Sequence, residues 1–336
     1  MTARRTAAKI YRGTARSLRF LARCLRAGEL VAVPTETVYG LAADALNARA
    51  SAKIFRAKGR PTHDPLIVHI HSFAQLELLA KTNDAAKRLA KKFWPGALTL
   101  VLPKKKRVPA IVTAGLPSVA VRMPRHPLMR RLLRLCDRPL AAPSANPFGY
   151  VSPTTAEHVR AGLGKKIRFI LDGGPAAVGL ESTIVDLRDP RHPRLLRPGA
   201  ISRRQIEDVL GIKLRSVPTR GGAKHAPLPA PGLLDRHYSP RTPLVLHKKM
   251  SRTRAAKSGL AEAWLFFARP AGLTGPNVFW LDARGDAYRA ARRLFSRLRA
   301  LDGRGFEKIH AEAAPAGDLA EAINDRLRRA AGLGQA

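Results

Sequence analysis

Cysteine is nearly absent from this sequence: Cys24 and Cys136 are the only two in 336 residues. Two make no disulfide framework, and neither stands at the paired spacing of a zinc site, so a reducing, cytoplasmic setting is expected. Acidic residues are also scarce. Lys and Arg total 61 against 24 Asp and Glu, a net charge of +37. Such an excess concentrates anions near the surface and suits RNA or another polyanion. Arginines occur along almost the whole chain, so the same charge also describes solvated faces of an arginine-rich protein. No apolar run reaches the roughly 18 residues of a membrane span, and no membrane partner is expected. The basic stretch Met1 to Arg12 leads into Ser17-Leu18-Arg19-Phe20 rather than a continuous apolar segment, which argues against a signal peptide.

Several catalytic signatures are missing too. There is no Gly-x-x-x-x-Gly-Lys-Ser/Thr loop, no Gly-x-Gly-x-x-Gly opening a helix after a strand, no Gly-x-Ser-x-Gly and no His-Glu-x-x-His. P-loop, dinucleotide-binding, nucleophile-elbow and zincin chemistries therefore lose their usual sequence support. Gly173-Gly174 alone reads as a turn. His69-Ile70-His71 would point two imidazoles to one face of a strand, but no further Cys or His cluster offers the remaining ligands of a metal site. No protein-held metal site is expected, and a single histidine serving as hydrogen-bond partner for a ligand is the better reading.

What is present is an alternation of apolar strands and amphipathic helices. Hydrophobic residues make up 45% of the chain, enough for packed cores, and the length suits two domains. Leu30 to Val33, Leu66 to Ile70, Leu98 to Leu102, Val119 to Val121, Leu140 to Ala142, Ile167 to Leu171 and Ser182 to Leu187 read as strands. Helices are expected over Arg16 to Ala27, Ala50 to Lys58, Asn83 to Phe93, Pro127 to Arg134 and Thr155 to Leu163. This is the pattern of an α/β domain with a mixed sheet. Between Val217 and Pro240, prolines and glycines crowd into a segment with few apolar residues, the composition of a linker. Beyond it, Pro243 to Leu246, Trp264 to Phe267 and Val278 to Leu281 read as strands. The basic amphipathic stretch Ala287 to Leu301 and the stretch Asp318 to Ala331 read as helices of a smaller α/β domain.

Polar groups gather where these strands end. Pro34-Thr35-Glu36-Thr37-Val38-Tyr39-Gly40 follows a strand, Lys58-Gly59-Arg60-Pro61 follows a helix, and Ser144-Ala145-Asn146 follows another strand. Arg122 and Arg197 end two more. Lys as a point charge and Arg as a planar fork can clamp phosphates, although a cation at a helix C-terminus is also favoured without any ligand. Arg122 and Arg197 after strands, with Lys58 and Arg60 after a helix, suggest a site for an anionic nucleotide and a small polar substrate, with no obvious covalent nucleophile.

Taken together and in order, these segments resemble the YrdC-like threonylcarbamoyl-AMP synthases in their long, two-domain form. The matching stretches also include Ile54 to Pro61, Pro65 to His69, Trp94 to Thr99, Val121 to Pro124, Gly179 to Asp186 and Leu196 to Gly199. Arg236 to Pro240 in the linker and Ala322-Ile323-Asn324-Asp325-Arg326-Leu327 near the end support the long form. The resemblance implies a twisted mixed-sheet YrdC-like domain with a concave basic cavity over residues 1–212. It also implies a linker and lid over 213–240 and a C-terminal α/β, Rossmann-like domain over 241–336.

It further implies synthesis of threonylcarbamoyl-adenylate from L-threonine, bicarbonate or CO2 and ATP, with Mg2+ accompanying the ATP and pyrophosphate released. A threonylcarbamoyl-transferase machinery that modifies tRNA would receive the product. By resemblance, Thr35, His69, Arg122 and Ser182 bind threonine. Lys58, Arg60, Thr62, Ser118, Ser144, Asn146, Ser152, Arg197 and Tyr238 bind ATP, with Lys58, Arg60, Ser144 and Asn146 carrying the catalysis. Asp64 departs from the Asn usual in the family, which leaves open whether its charge points away from the phosphates or meets Mg2+. Two other readings compete: an RNA-binding or assembly protein with a vestigial nucleotide site, and a carbamoyl-phosphate enzyme of metal-centre maturation. The second would call for zinc-finger and acylphosphatase-like domains, which two cysteines and a sequence of this length are not expected to supply.

Overall fold

The computed structural model of the chain describes residues 7–216, 228–233 and 237–332. The rest of the linker, 217–227 and 234–236 with Arg236, lies outside the described residues. Eleven strands form the first sheet: β1 (Lys9–Arg12), β2 (Val31–Val33), β3 (Gly40–Asp44), β4 (Ile67–His69), β5 (Leu98–Pro103), β6 (Ser118–Arg122), β7 (Leu140–Ala141), β8 (Phe169–Asp172), β9 (Thr183–Asp186), β10 (Arg194–Arg197) and β11 (Arg215–Ser216). Their order is β1-β8-β2-β3-β7-β4-β6-β5-β9-β10-β11, and parallel and antiparallel pairs mix throughout.

Helices α1 (Ala15–Arg26), α2 (Ala48–Lys58), α3 (Phe73–Leu79), α4 (Asp84–Phe93), α5 (Pro127–Cys136), α6 (Ala156–Leu163) and α7 (Arg203–Leu210) accompany this sheet. Local chemistry sets their ends. Asn47, Asn83 and Thr155 cap α2, α4 and α6 through side-chain oxygens, and Ser202 with Gln205 forms a capping box on α7, satisfying amides that have no partner inside the helix. Gly59, in the left-handed conformation at φ 65°, ends α2, where a residue with a Cβ would be strained.

The second sheet is parallel throughout, in the order β12-β15-β13-β14, from β12 (Leu244–His247), β13 (Glu262–Ala268), β14 (Val278–Asp282) and β15 (Lys308–Glu312). Helices α8 (Arg252–Lys257), α9 (Ala287–Asp302) and α10 (Ala320–Ala331) belong to it. Its core is not its own: Val38, Val151, Leu180 and Tyr238 are buried in the same apolar cluster as Leu294, Phe295, Leu298 and Ile323. Polar contacts tighten this junction. Tyr150 donates to Asp302 at 2.7 Å, and Arg299 lies 4.8 Å from the Tyr150 ring. Gly179, at φ 78°, brings its backbone so close to α9 that a Cβ would lie 2.5 Å from the Arg292 Cα.

Register decides which residues face the site. Successive strand residues point to opposite faces. Val68, Leu100, Val119, Val121, Val185 and Leu195 fall on the face packed into the main core. Ile67, Val101, Ala120 and Ile184 fall on the other, covered by Ala230 and Leu233 of the linker. His69, Arg122, Thr99 and Ser182 share the second face by the same alternation. Arg197 would not, being two residues from core-facing Leu195. A bulge between Leu195 and Arg197 sets Arg197 opposite Ile184 instead, re-aiming the guanidinium in the manner typical of bulges beside functional sites.

Candidate active site

A cavity of about 40 Å³ lies over this second face, lined by Thr35, His69, Arg122, Ser182, Arg197 and Arg60 together with Ser144 and Tyr238. Eight of the residues singled out from the sequence thus meet in one place. Lys58, Thr62, Ser118, Asn146 and Ser152 do not reach its surface, though Lys58 and Ser152 bond to residues that do.

Arg122 is fixed at one end. Its Nε donates to the Gly96 carbonyl at 3.1 Å, one terminal nitrogen to the Thr37 hydroxyl at 2.8 Å and the other to Glu36 at 2.7 Å. Burial opposes ionisation of Glu36, but the Arg122 charge and the hydrogen bonds it receives outweigh that and hold its carboxyl below the ordinary range. Thr35 donates to the Val38 carbonyl at 2.6 Å, closing the turn between β2 and β3 with its own side chain. His69 is 2% exposed. Burial, helped by the nearby Arg122 charge, pulls its pKa down to about 3, so the imidazole is neutral. Strand β4 ends at His69, and His71 turns to Asp137 at 3.5 Å, so the two histidines part company. Ser182 lies 2.7 Å from the Thr99 hydroxyl and takes a bond from Arg197 at 3.2 Å.

At the other end, Lys58 is the last residue of α2. Its ammonium donates to the carbonyls of Ser144 and Asn146, both at 2.6 Å, tying the helix to the loop after β7. Burial and the neighbouring Arg60 charge push its pKa well below the usual lysine value. Arg60 donates to the carbonyls of Asp64 and Pro65 at 3.0 and 2.7 Å and pairs with the Asp64 carboxylate at 2.7 Å. The question left by Asp64 is thereby answered for this structure: its charge is spent on Arg60. Asp64 has no exposure, and burial raises its pKa despite that partner.

Pro231, Gly232, His237 and Tyr238 of the linker close the cavity. Tyr238 sits at φ 62°, a region costly for a residue with a Cβ, and its ring stacks on Phe295 at 5.5 Å between centroids. Gly232, at φ 80°, passes so close that a Cβ there would lie 2.5 Å from the Tyr238 hydroxyl oxygen. Neither thiol takes part: Cys136, buried, ends α5, Cys24 lies on α1, and neither lines the cavity. Among the described residues, no group of three or more His, Cys, Asp or Glu could hold a metal ion, and no helix is long and apolar enough to cross a membrane.

A family model described as "Telomere recombination", covering Sua5, YciO and YrdC, matches residues 23–199. One described as "Threonylcarbamoyl-AMP synthase, C-terminal domain" matches residues 201–332. The chain is 44% identical over 324 residues to the threonylcarbamoyl-AMP synthase of Pyrococcus abyssi, covering 94% of both proteins. The chain belongs to the threonylcarbamoyl-AMP synthase family. A family member from Bacillus subtilis is 42% identical over 317 residues, covering 92% of this chain and 91% of its own. The crystal structure of P. abyssi Sua5 complexed with L-threonine superposes with a TM-score of 0.87 at 41% identity, covering 97% of this chain and 98% of that one.

Sequence reasoning passed over several residues that build this family's cavity here. Thr37 and Glu36 fix Arg122, and His237 packs its ring against Tyr238 at 4.1 Å. Glu181 lines the wall. All four lie inside stretches that carry the resemblance, so the signal was there. What was missing was the pairing, since Glu36 and Arg122 are 86 residues apart.

Proposed function

We propose that the protein is a nucleotidyltransferase that makes L-threonylcarbamoyl-adenylate from L-threonine, bicarbonate or CO2 and ATP, releasing pyrophosphate, for a machinery that modifies tRNA. The observation that carries this reading is the one cavity whose lining brings Arg122, His69 and Ser182 together with Arg60, Ser144 and Arg197. Of the five N–H groups of a guanidinium, Arg122 uses one on each nitrogen for protein partners. One on each terminal nitrogen is left, a fork suited to the threonine carboxylate. Neutral His69 serves as a hydrogen-bonding wall rather than as a charge.

The reaction asks little covalent chemistry of the protein. Threonine's amine and CO2 give a carbamate, its oxygen attacks the α-phosphorus, and pyrophosphate leaves. The nucleophile comes from the substrate, so positioning and electrostatic stabilisation remain as the protein's share. In this reading Arg60 and Arg197 are the cations that face the phosphates, and Lys58 fixes the Ser144–Asn146 loop. Mg2+ would accompany ATP and supply charge neutralisation at its phosphates, since among the described residues no group of three or more His, Cys, Asp or Glu could hold a metal ion.

About 40 Å³ cannot admit a nucleotide, since ligand pockets commonly measure roughly 300–1,000 Å³. The linker segment with Pro231, Gly232 and Tyr238 must therefore shift to let ATP in, and its return would exclude water from an adenylate that hydrolyses readily. Pyrophosphate release by the purified protein with ATP and Mg2+, leaving out threonine and bicarbonate in turn, tests the reading. Release that needs both is expected. Release that needs neither, or no release alongside tight salt-sensitive RNA binding, would replace it with the binding-protein alternative.

A further inference from the structure

Arg326, on α10 of the second sheet, has no exposure and reaches out of its own domain. Its Nε donates to Glu181 at 2.8 Å, across 145 residues of sequence. One terminal nitrogen donates to the Pro198 carbonyl at 3.0 Å, next to Arg197, and the other to Asp325. Its guanidinium also lies 5.0 Å from the Tyr238 ring, so Tyr238 packs against both Arg326 and Phe295. The second oxygen of Glu181 accepts from Ser152 at 2.5 Å. Asp325 is in turn held by Arg329 at 3.0 Å, which pins the Arg326 end of the chain of contacts to α10.

Glu181 is the puzzle in this arrangement. It is 5% exposed and lines the cavity on the Arg197 side, where a triphosphate has to fit. A bare carboxylate there repels the substrate, and a buried charge left unpaired is strongly unfavourable. We propose that Arg326 is a positioning residue for the nucleotide half of the site. It neutralises Glu181, and it supports Tyr238 from below in its left-handed conformation. The C-terminal domain thereby completes a site built on the first sheet. This rests on the reading of the Arg60–Arg197 end as the ATP site. It predicts a split: Arg326 matters for ATP and little for threonine, because Arg122 is held by Glu36 and Thr37 without its help.

The test is equilibrium binding of ATP with Mg2+, and separately of L-threonine, to the full chain and to Arg326→Met, Arg326→Lys, Glu181→Gln and the double variant Arg326→Met/Glu181→Gln, with thermal unfolding of each. Arg326→Met is expected to weaken ATP binding about tenfold or more, since it leaves Glu181 unpaired. Threonine binding should fall much less, because its Arg122 anchor is held by Glu36 and Thr37 and only Ser182, bonded to Arg197, links it to the Arg326 side. Arg326→Lys should fall between, because an ammonium cannot reproduce the planar fork. The double variant should regain most of the ATP affinity, a rescue that a merely structural staple would not give. It also contains no unpaired carboxylate, so it carries the test if Arg326→Met fails to fold. Equal loss for both ligands, unchanged ATP binding in Arg326→Met, or a folded double variant that still binds ATP tenfold more weakly would overturn the proposal. If the unaltered chain binds threonine but no ATP, the reading of the pocket fails first and takes this proposal with it.

Discussion

Along the floor of the pocket, His69, Arg122, Ser182 and Arg197 come from the ends of neighbouring strands whose register puts them on one face. The roof is assembled from Pro231, Gly232, His237 and Tyr238 of the linker and propped by Arg326 from α10. On the floor, Arg122 is locked by Gly96, Thr37 and Glu36 and Ser182 by Thr99 and Arg197, while Arg197 also donates to the Pro231 carbonyl of the roof at 3.3 Å. In the roof, Tyr238 and Gly232 sit in left-handed backbone, at φ 62° and 80°, and Tyr238 packs against Phe295 and Arg326 of the second domain. A rigid floor suits substrate positioning, which tolerates little play. A roof held in a costly conformation by distant supports is one that can be displaced at modest cost, as entry of a nucleotide requires.

The largest effect should come from breaking the floor. Arg122→Ala leaves Glu36, which is 7% exposed, without its cation, and removing one partner of a buried pair costs about 3–5 kcal/mol. Urea unfolding should show that loss together with abolished threonine binding. Arg122→Ala/Glu36→Gln should recover most of the stability without recovering binding. A single variant as stable as the unaltered chain would mean that the floor is not locked by this pair.

Next in size is the response to acid. His69 has a folded pKa of about 3 against 6.5 unfolded, and burial likewise lowers His158 to about 4 and His237 well below its usual value. A depressed pKa means that the unfolded chain takes up protons first as the pH falls. The stabilising contribution is therefore whole above about pH 6.5 and drains as the pH drops toward the folded values. For His69 alone the loss between about pH 7 and pH 5 is about 2 kcal/mol. The difference in unfolding free energy between those two conditions should shrink by about that amount in His69→Gln. An unchanged difference would show that His69 is protonated, or solvated, in the folded chain.

Floor and roof also differed in how far they could be read from sequence. Strands such as Leu98–Pro103 and helices such as Asp84–Phe93 announce themselves by period and by caps such as Asn83. Thr35, Arg122, Ser144 and Arg197 were visible because a polar group right after an apolar strand is a local signal. Gly40–Asp44, short and alanine-rich, and Lys308–Glu312, half polar, were not read as strands, since their pairing is decided by partners elsewhere in the sheet. The bulge that turns Arg197 into the pocket has no local signature either. The Glu181–Arg326 contact joins two stretches noted separately. Nothing in either says that they touch, because such contacts depend on how the two domains pack.

The smallest effect probes the roof and separates its two ingredients, backbone and ring. At φ 62° a side chain with a Cβ is disfavoured by about 1–2 kcal/mol relative to glycine. Tyr238→Ala and Tyr238→Gly both remove the ring from Phe295 and Arg326, so both lose its packing and both should impair turnover. They differ only in what the backbone costs. Tyr238→Gly should be the more stable of the two by about 1 kcal/mol once the greater chain entropy of glycine in the unfolded state is set against the relieved strain. Thermal unfolding of the pair decides it. If Tyr238→Ala is the more stable, the left-handed backbone is no burden in the folded chain, and the ring alone fixes the roof. If Tyr238→Gly is more stable yet turns over no faster than Tyr238→Ala, relieving the backbone does not restore function. The ring packed against Phe295 and Arg326 is then what turnover requires.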